Sequence, residues 1–174
     1  GEGEGEGEGE GELLPEDLAR KLRETARFMA GWYCMRQLSF AELDMAWHSA
    51  DPSGVGDVEQ FEEKTLERTR VLPRLAGTSI STSFSHIFAG GYSAGYYSYK
   101  WAEVLDADAF EYFKEHGLFD REVAAKFRRE ILSKGGSEHP AELYRRFRGR
   151  DADPDALVKR DFGNEVLKSR GGPA

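Results

Sequence analysis

Residues 84–110 read FSHIFAGGYSAGYYSYKWAEVLDADAF, and the second half of that stretch decides the fold. Tyr97, Trp101, Leu105, Ala109 and, just beyond, Phe113 step by four, the spacing that lines one face of an α-helix. The pattern predicts a strongly amphipathic helix over roughly 93–116, with Tyr97 on its buried stripe. The first half is different in kind: between Phe84 and Trp101 lie one histidine, three glycines and four tyrosines. Tyr92 follows a two-glycine hinge and Tyr99 lies two positions off the stripe, so their hydroxyls either pack a helix start or face a cleft.

Working outward, the same period recurs and strand alternation does not. Pro15 followed by Glu16 and Asp17 opens a helix, because proline gives up nothing at a first helical position and acids suit the positive end of the dipole. Leu18, Leu22, Met29 and Tyr33 continue at helical spacing, and from Met35 the chain is apolar nearly all round. Ser39 with Glu42 is either a capping box or two residues inside a longer rod. Asp51 to Gly56 is a loop, and 57–72 a charged helix. Residues 73–91, with Pro73, Gly77 and a Ser/Thr run and no helical period, form a long loop or a paired extended segment before the central helix. Asp120 caps a helix burying Ala124, Phe127 and Ile131; Pro140 opens another through Phe147, and Asp153 with Pro154 a last one. The fold class is all-α.

The first twelve residues are a Gly/Glu alternation with no apolar side chain, expected to be disordered. Their six glutamates carry most of the formal charge of −8 and leave −2 for 13–174. That near neutrality excludes nucleic acid and anionic membrane as primary partners, since both require clustered basic residues. No run approaches the roughly 20 apolar residues of a membrane helix, and Cys34 alone forms no intrachain disulfide, which together suggest the cytoplasm.

The familiar catalytic patterns are missing. His48, His86, His116 and His139 belong to no H-E-x-x-H pair, so no metal ligands are assigned here; the three other than His86 read as surface or structural. Gly90 and Gly91 lack the Lys-Ser/Thr of a phosphate loop. Ser81, Ser83 and Ser85 lie in no G-x-S-x-G elbow.

The string at 84–110, with GGSEHPAELYRRFRGR at 135–150 and PDAL at 154–157, resembles the C-terminal end of the zinc metallopeptidases of the thimet oligopeptidase type, in the oligopeptidase A and peptidyl-dipeptidase branch. The resemblance runs from about Glu12 to Gly163. It implies a multi-helix C-terminal part of a zincin-like oligopeptidase catalytic domain, about the last quarter of such an enzyme, with the zinc ligands of H-E-x-x-H and a later glutamate preceding the region present. It implies that Tyr99 donates to the oxyanion formed when zinc-bound water attacks a peptide carbonyl, that His86 and Tyr92 bind substrate backbone and assist, and that Gly90, Gly91 and Gly95 form an adaptable loop with Tyr96 among the substrate-binding residues. Short peptides are then the ligands, zinc is the parent family's cofactor, and the rest of the catalytic domain, in cis or in trans, is a partner. Without zinc ligands the isolated chain is expected to be catalytically inactive and to expose apolar patches. The segment 164–174 lies past the usual end of the family and reads as a disordered tail.

Overall fold

The computed structural model describes residues 13–170 and contains helices and turns, with no strand among the described residues. The Gly/Glu repeat at 1–12 and the last residues of the tail lie outside them. Helix α1 (Glu16–Thr25) starts after Pro15, with Glu16 and Asp17 in its first turn. It does not run on into the next helix. Ala26 to Met29 form turns, Met29 takes a left-handed φ of 57°, and α2 (Ala30–Ser49) begins afresh, so the spacing from Leu18 to Tyr33 spans two helices. Ser39 and Glu42 are mid-helix residues; the Ser39 hydroxyl donates to the Met35 carbonyl at 2.9 Å, the back-bonding expected of serine inside a helix.

After a single 3₁₀ turn (Pro52–Gly54), Asp57 caps α3 (Val58–Leu66) by accepting from the Gln60 N–H at 2.8 Å. This helix stops six residues short of Leu72. The chain then crosses the Ser/Thr segment, makes one helical turn as α4 (Ser85–Phe88), passes the glycine loop and enters α5 (Ser98–His116). Leu43, Leu66, Phe84 and Ile87 form the core here, with Phe40, Trp47, Ile80 and Tyr96 packed around it. Burying side chains of this size contributes about 1.5–3 kcal/mol each.

The C-terminal helices pack on the other end of α5. Asp120 caps α6 (Arg121–Phe127), accepting from the N–H groups of Glu122 and Val123, and α6 widens into a π-turn at Arg128–Leu132. α7 (Pro140–Arg148) stops at Gly149, whose φ of 85° a side chain would strain. α8 (Pro154–Phe162) lies along α5, joining Ala156 and Leu157 to Val104 and Ala107. Val123, rather than the exposed Ala124, faces the core with Ala109, Tyr144 and Phe147, and Phe127 and Ile131 pack beside them. Asp108 is buried here and accepts from Tyr144, Arg148 and Arg150. Burial alone would push its carboxyl up, but these bonds, led by that from Arg150, hold it below the usual carboxylate range. Residues Asn164–Arg170 form a further helix, α9, where the sequence reads as a structureless tail; Gly163, at φ 85°, separates it from α8.

Two corrections bear on the site. The central helix starts at Ser98, not near Ser93, and Tyr97 is 55 % exposed instead of buried. The cause of the late start is Asp44, described next, which holds the N–H groups just upstream in a turn. The buried face of α5 is set by Val104, Ala107 and Asp108, which meet α7 and α8, while Tyr97 and Trp101 at the start of the stripe stay exposed.

Candidate functional site

The glycine loop is built by close approach. A Cβ on Gly90 would lie 2.7 Å from His86 Cα and 2.9 Å from the His86 carbonyl oxygen, a clash with backbone that no rotamer relieves. Gly91 has a φ of 81°, the left-handed region open to glycine at no steric cost. A Cβ on Gly95 would meet only ordinary contacts. Backbone bonds from Gly90 N–H to the Ser85 carbonyl (2.9 Å) and from Tyr92 N–H to the His86 carbonyl (3.2 Å) fold the loop back over α4, and the Ser93 hydroxyl donates to the Ile87 carbonyl at 2.6 Å.

Asp44, on α2 and 0 % exposed, fixes the far side of the loop. Its Oδ1 accepts from the Ala94 N–H at 2.9 Å and its Oδ2 from the Tyr96 N–H at 2.8 Å. His48 Nδ1, one turn on, lies 2.8 Å from the Asp44 carbonyl and 2.8 Å from Oδ1. Ala94 takes a φ of 53° under this restraint. Sequence reasoning missed Asp44. The signal was an acidic residue set four before a histidine in a segment apolar nearly all round, a pattern that a buried, paired carboxylate explains.

So held, the loop brings four rings together. His86 lies 6.1 Å from Tyr92 and 6.4 Å from Tyr96, and Tyr99 lies 5.2 Å from Tyr92 and 5.0 Å from Tyr96, centroid to centroid. Tyr92 and Tyr96 are half-buried, while His86 and Tyr99 face solvent, Tyr99 being 40 % exposed. Hydrogen bonding to Tyr92, and then burial, push the Tyr99 phenol above its ordinary pKa; burial does the same to Tyr96, partly offset by the Arg36 charge nearby. Both phenols therefore keep their protons at neutral pH and can donate hydrogen bonds.

Beside the cluster runs a groove of about 650 Å³, with His86, Tyr96, Phe40, Trp32 and Arg36 in its lining; Tyr92 and Tyr99 lie outside it. Its far wall is the Ser/Thr segment, pinned by buried Glu62, which accepts from the Ser79 hydroxyl, the N–H groups of Ile80 and Ser81, and the Ser81 hydroxyl. Burial would raise the Glu62 carboxyl, but these bonds, led by the Ser81 N–H, take it below the usual range. Ser81 also accepts from Trp47 Nε1 at 2.9 Å, so its hydroxyl is committed to structure.

The remaining histidines lie apart. His48 belongs to the Asp44 pair, His116 Nδ1 lies 3.0 Å from the Tyr112 carbonyl, and His139 caps α7. Among the described residues no three His, Cys, Asp or Glu side chains converge on a point where they could share a metal.

The sequence profile of Peptidase family M3 matches residues 5–161. The chain belongs to this family of peptidases. Its M3 relatives include the organellar oligopeptidase A (chloroplastic/mitochondrial) of Arabidopsis thaliana, 43 % identical over 153 residues, which are 85 % of this chain and 19 % of that protein. The probable cytosolic oligopeptidase A of the same plant is 43 % identical over 85 % of this chain and 22 % of its own length. The dipeptidyl carboxypeptidase of Escherichia coli (strain K12) is 40 % identical over 79 % of this chain and 20 % of its own. The M3 chain thus spans about a fifth of the length of the relatives it matches. The helical architecture agrees with a helical C-terminal part of an M3 peptidase domain. No helix among the described residues is long and apolar enough to cross a membrane.

Proposed function

We propose that the chain forms one wall of an oligopeptidase active site, the wall that binds short peptides and donates hydrogen bonds to the transition state, while the residues that hold the metal lie elsewhere in the catalytic domain, in cis or in trans. The observation that carries this reading is the cluster of His86 on α4, Tyr92 and Tyr96 on the glycine loop and Tyr99 at the start of α5, with the loop locked from behind by Asp44. Tyr99 presents a protonated, partly exposed phenol whose O–H can donate to the oxyanion of a tetrahedral intermediate, a role in which a preplaced donor is worth about 2.7–4 kcal/mol. Tyr92 orients that phenol. His86 and Tyr96 face the groove and bind peptide backbone, and Gly90 and Gly91 allow the tight backbone turn, with Gly95 in the same loop, that presents these rings.

Zinc, which the resemblance implies, does not fit the side chains in hand: the described residues offer no converging ligand set and the sequence has no H-E-x-x-H. The chain alone is therefore expected to be inactive, and its cellular compartment is expected to be the cytoplasm. Incubating it with an unstructured peptide and added zinc tests the first expectation; chelator-sensitive turnover would overturn it. Mixing it with an M3 polypeptide that carries H-E-x-x-H but lacks this region tests complementation, and no recovered activity would count against it.

The groove beside the cluster favours a second reading, a non-catalytic helical module that binds peptides. Titrating a peptide against the wild type and a His86→Ala, Tyr96→Phe double variant, altered at two residues of the groove lining, examines it. Equal affinity would remove it.

A further inference from the structure

Arg36 occupies an unusual position in the groove. Its guanidinium lies over two rings on its own helix, 4.5 Å from the centroid of Phe40 and 5.9 Å from that of Trp32, one turn on either side. Phe40 in turn meets Tyr96 edge-on at 5.7 Å, and the Arg36 charge is felt at the Tyr96 phenol. The cation is thus exposed and yet held against aromatic faces at the edge of the tyrosine cluster. Stacking of this kind fixes a side chain whose ordering otherwise opposes binding.

The other charges of the groove are already satisfied. Arg70 pairs with Glu63 and Arg74 with Glu59, each at 2.5 Å, and Glu62 is taken up by the Ser/Thr segment. Among the described residues no carboxylate pairs with Arg36. A planar, immobilised guanidinium with its donors unclaimed matches the geometry of a carboxylate, which it can grip bidentately.

We propose that Arg36 is an anion subsite that takes a carboxylate of a bound peptide, either the C-terminal group or an Asp/Glu side chain, while His86 and Tyr96 contact the backbone in the same groove. The inference rests on the reading of this face as a peptide-binding wall. Because Arg36 is open to water, the gain is modest, on the order of three- to tenfold in affinity.

Calorimetric titration of the full chain with three N-acetylated heptapeptides of alanine and glycine tests it: one with a free C-terminal carboxylate, one amidated, and one amidated with a central glutamate. On the wild type the free acid, the glutamate peptide or both should bind three- to tenfold more tightly than the plain amide, and the gap should narrow with salt. A tighter free acid assigns the subsite to the C-terminus; a tighter glutamate peptide assigns it to side chains. The gap should vanish in Arg36→Gln with unchanged far-ultraviolet circular dichroism and survive in part in Arg36→Lys. Equal binding of all three peptides by the wild type, or a gap that persists in Arg36→Gln, overturns the anion subsite while leaving the peptide-binding wall intact. No binding of any of the peptides by the folded wild type removes both.

Discussion

Replacing Asp44 by asparagine should destabilise the chain and release the glycine loop. The carboxylate uses both oxygens, one for the Ala94 N–H and one for the Tyr96 N–H, with His48 alongside. An amide keeps one acceptor and turns an NH₂ toward whichever backbone donor faces the other position. Hydrogen bonds to a charged group are worth about 1.5–3 kcal/mol, and a stranded buried donor costs about 1–3 kcal/mol. Ala94 is exposed enough for water to take over its N–H, which puts the loss toward the lower end, roughly 2–3 kcal/mol against a total of about 5–15 kcal/mol for a domain. Alanine at the same position loses both bonds and leaves a void, roughly 3–5 kcal/mol. Urea denaturation gives the stability change, and hydrogen exchange at the Ala94 and Tyr96 amides shows whether the loop is released. An Asp44→Asn protein within 0.5 kcal/mol of wild type, with both amides still protected, would refute the assignment of the loop's shape to Asp44.

Three further outcomes follow from the geometry. Tyr99→Phe in a reconstituted M3 peptidase should lower kcat by about 10²–10³-fold while changing stability by less than about 0.5 kcal/mol; steady-state kinetics and thermal melting separate the two. Gly90→Ala should destabilise by about 1–3 kcal/mol, because the added methyl meets His86 backbone and forces it to shift, and a lowered melting temperature reports this. Glu62 has a folded pKa below its ordinary value of 4.5, so its contribution is fully present above that pH and is lost as pH falls through the lower folded value. Glu62→Gln should be less stable at neutral pH and show a flatter acid limb below about pH 4.5 than wild type.

What could be read from the sequence was what is encoded locally. Pro15, Asp120, Pro140 and Asp153 each mark a helix start with a side chain that acts within three residues, and all four helices are present. The gathering of His86, Tyr92, Tyr96 and Tyr99 followed from the resemblance, as their spacing alone left the tyrosines between packing and exposure. What escaped notice acts over distance. Asp44 reaches Tyr96 across 52 positions, and no periodicity reports that two amides upstream of a helix are claimed by another helix. That contact accounts for the late start of α5. The break at Met29 was hidden for a related reason: the spacing of apolar residues carries through it, while the left-handed φ that ends the rod leaves no mark in the pattern.

Helix α1 has ten residues and buries none of them, leaving Leu18 and Leu22 open to solvent. Helices so short are marginal in water without tertiary support, so this segment should unwind repeatedly while the body of the molecule stays intact. Its Arg20, Lys21 and Arg23 then become the first trypsin cuts, and brief digestion should trim the chain to a resistant product that begins near α2.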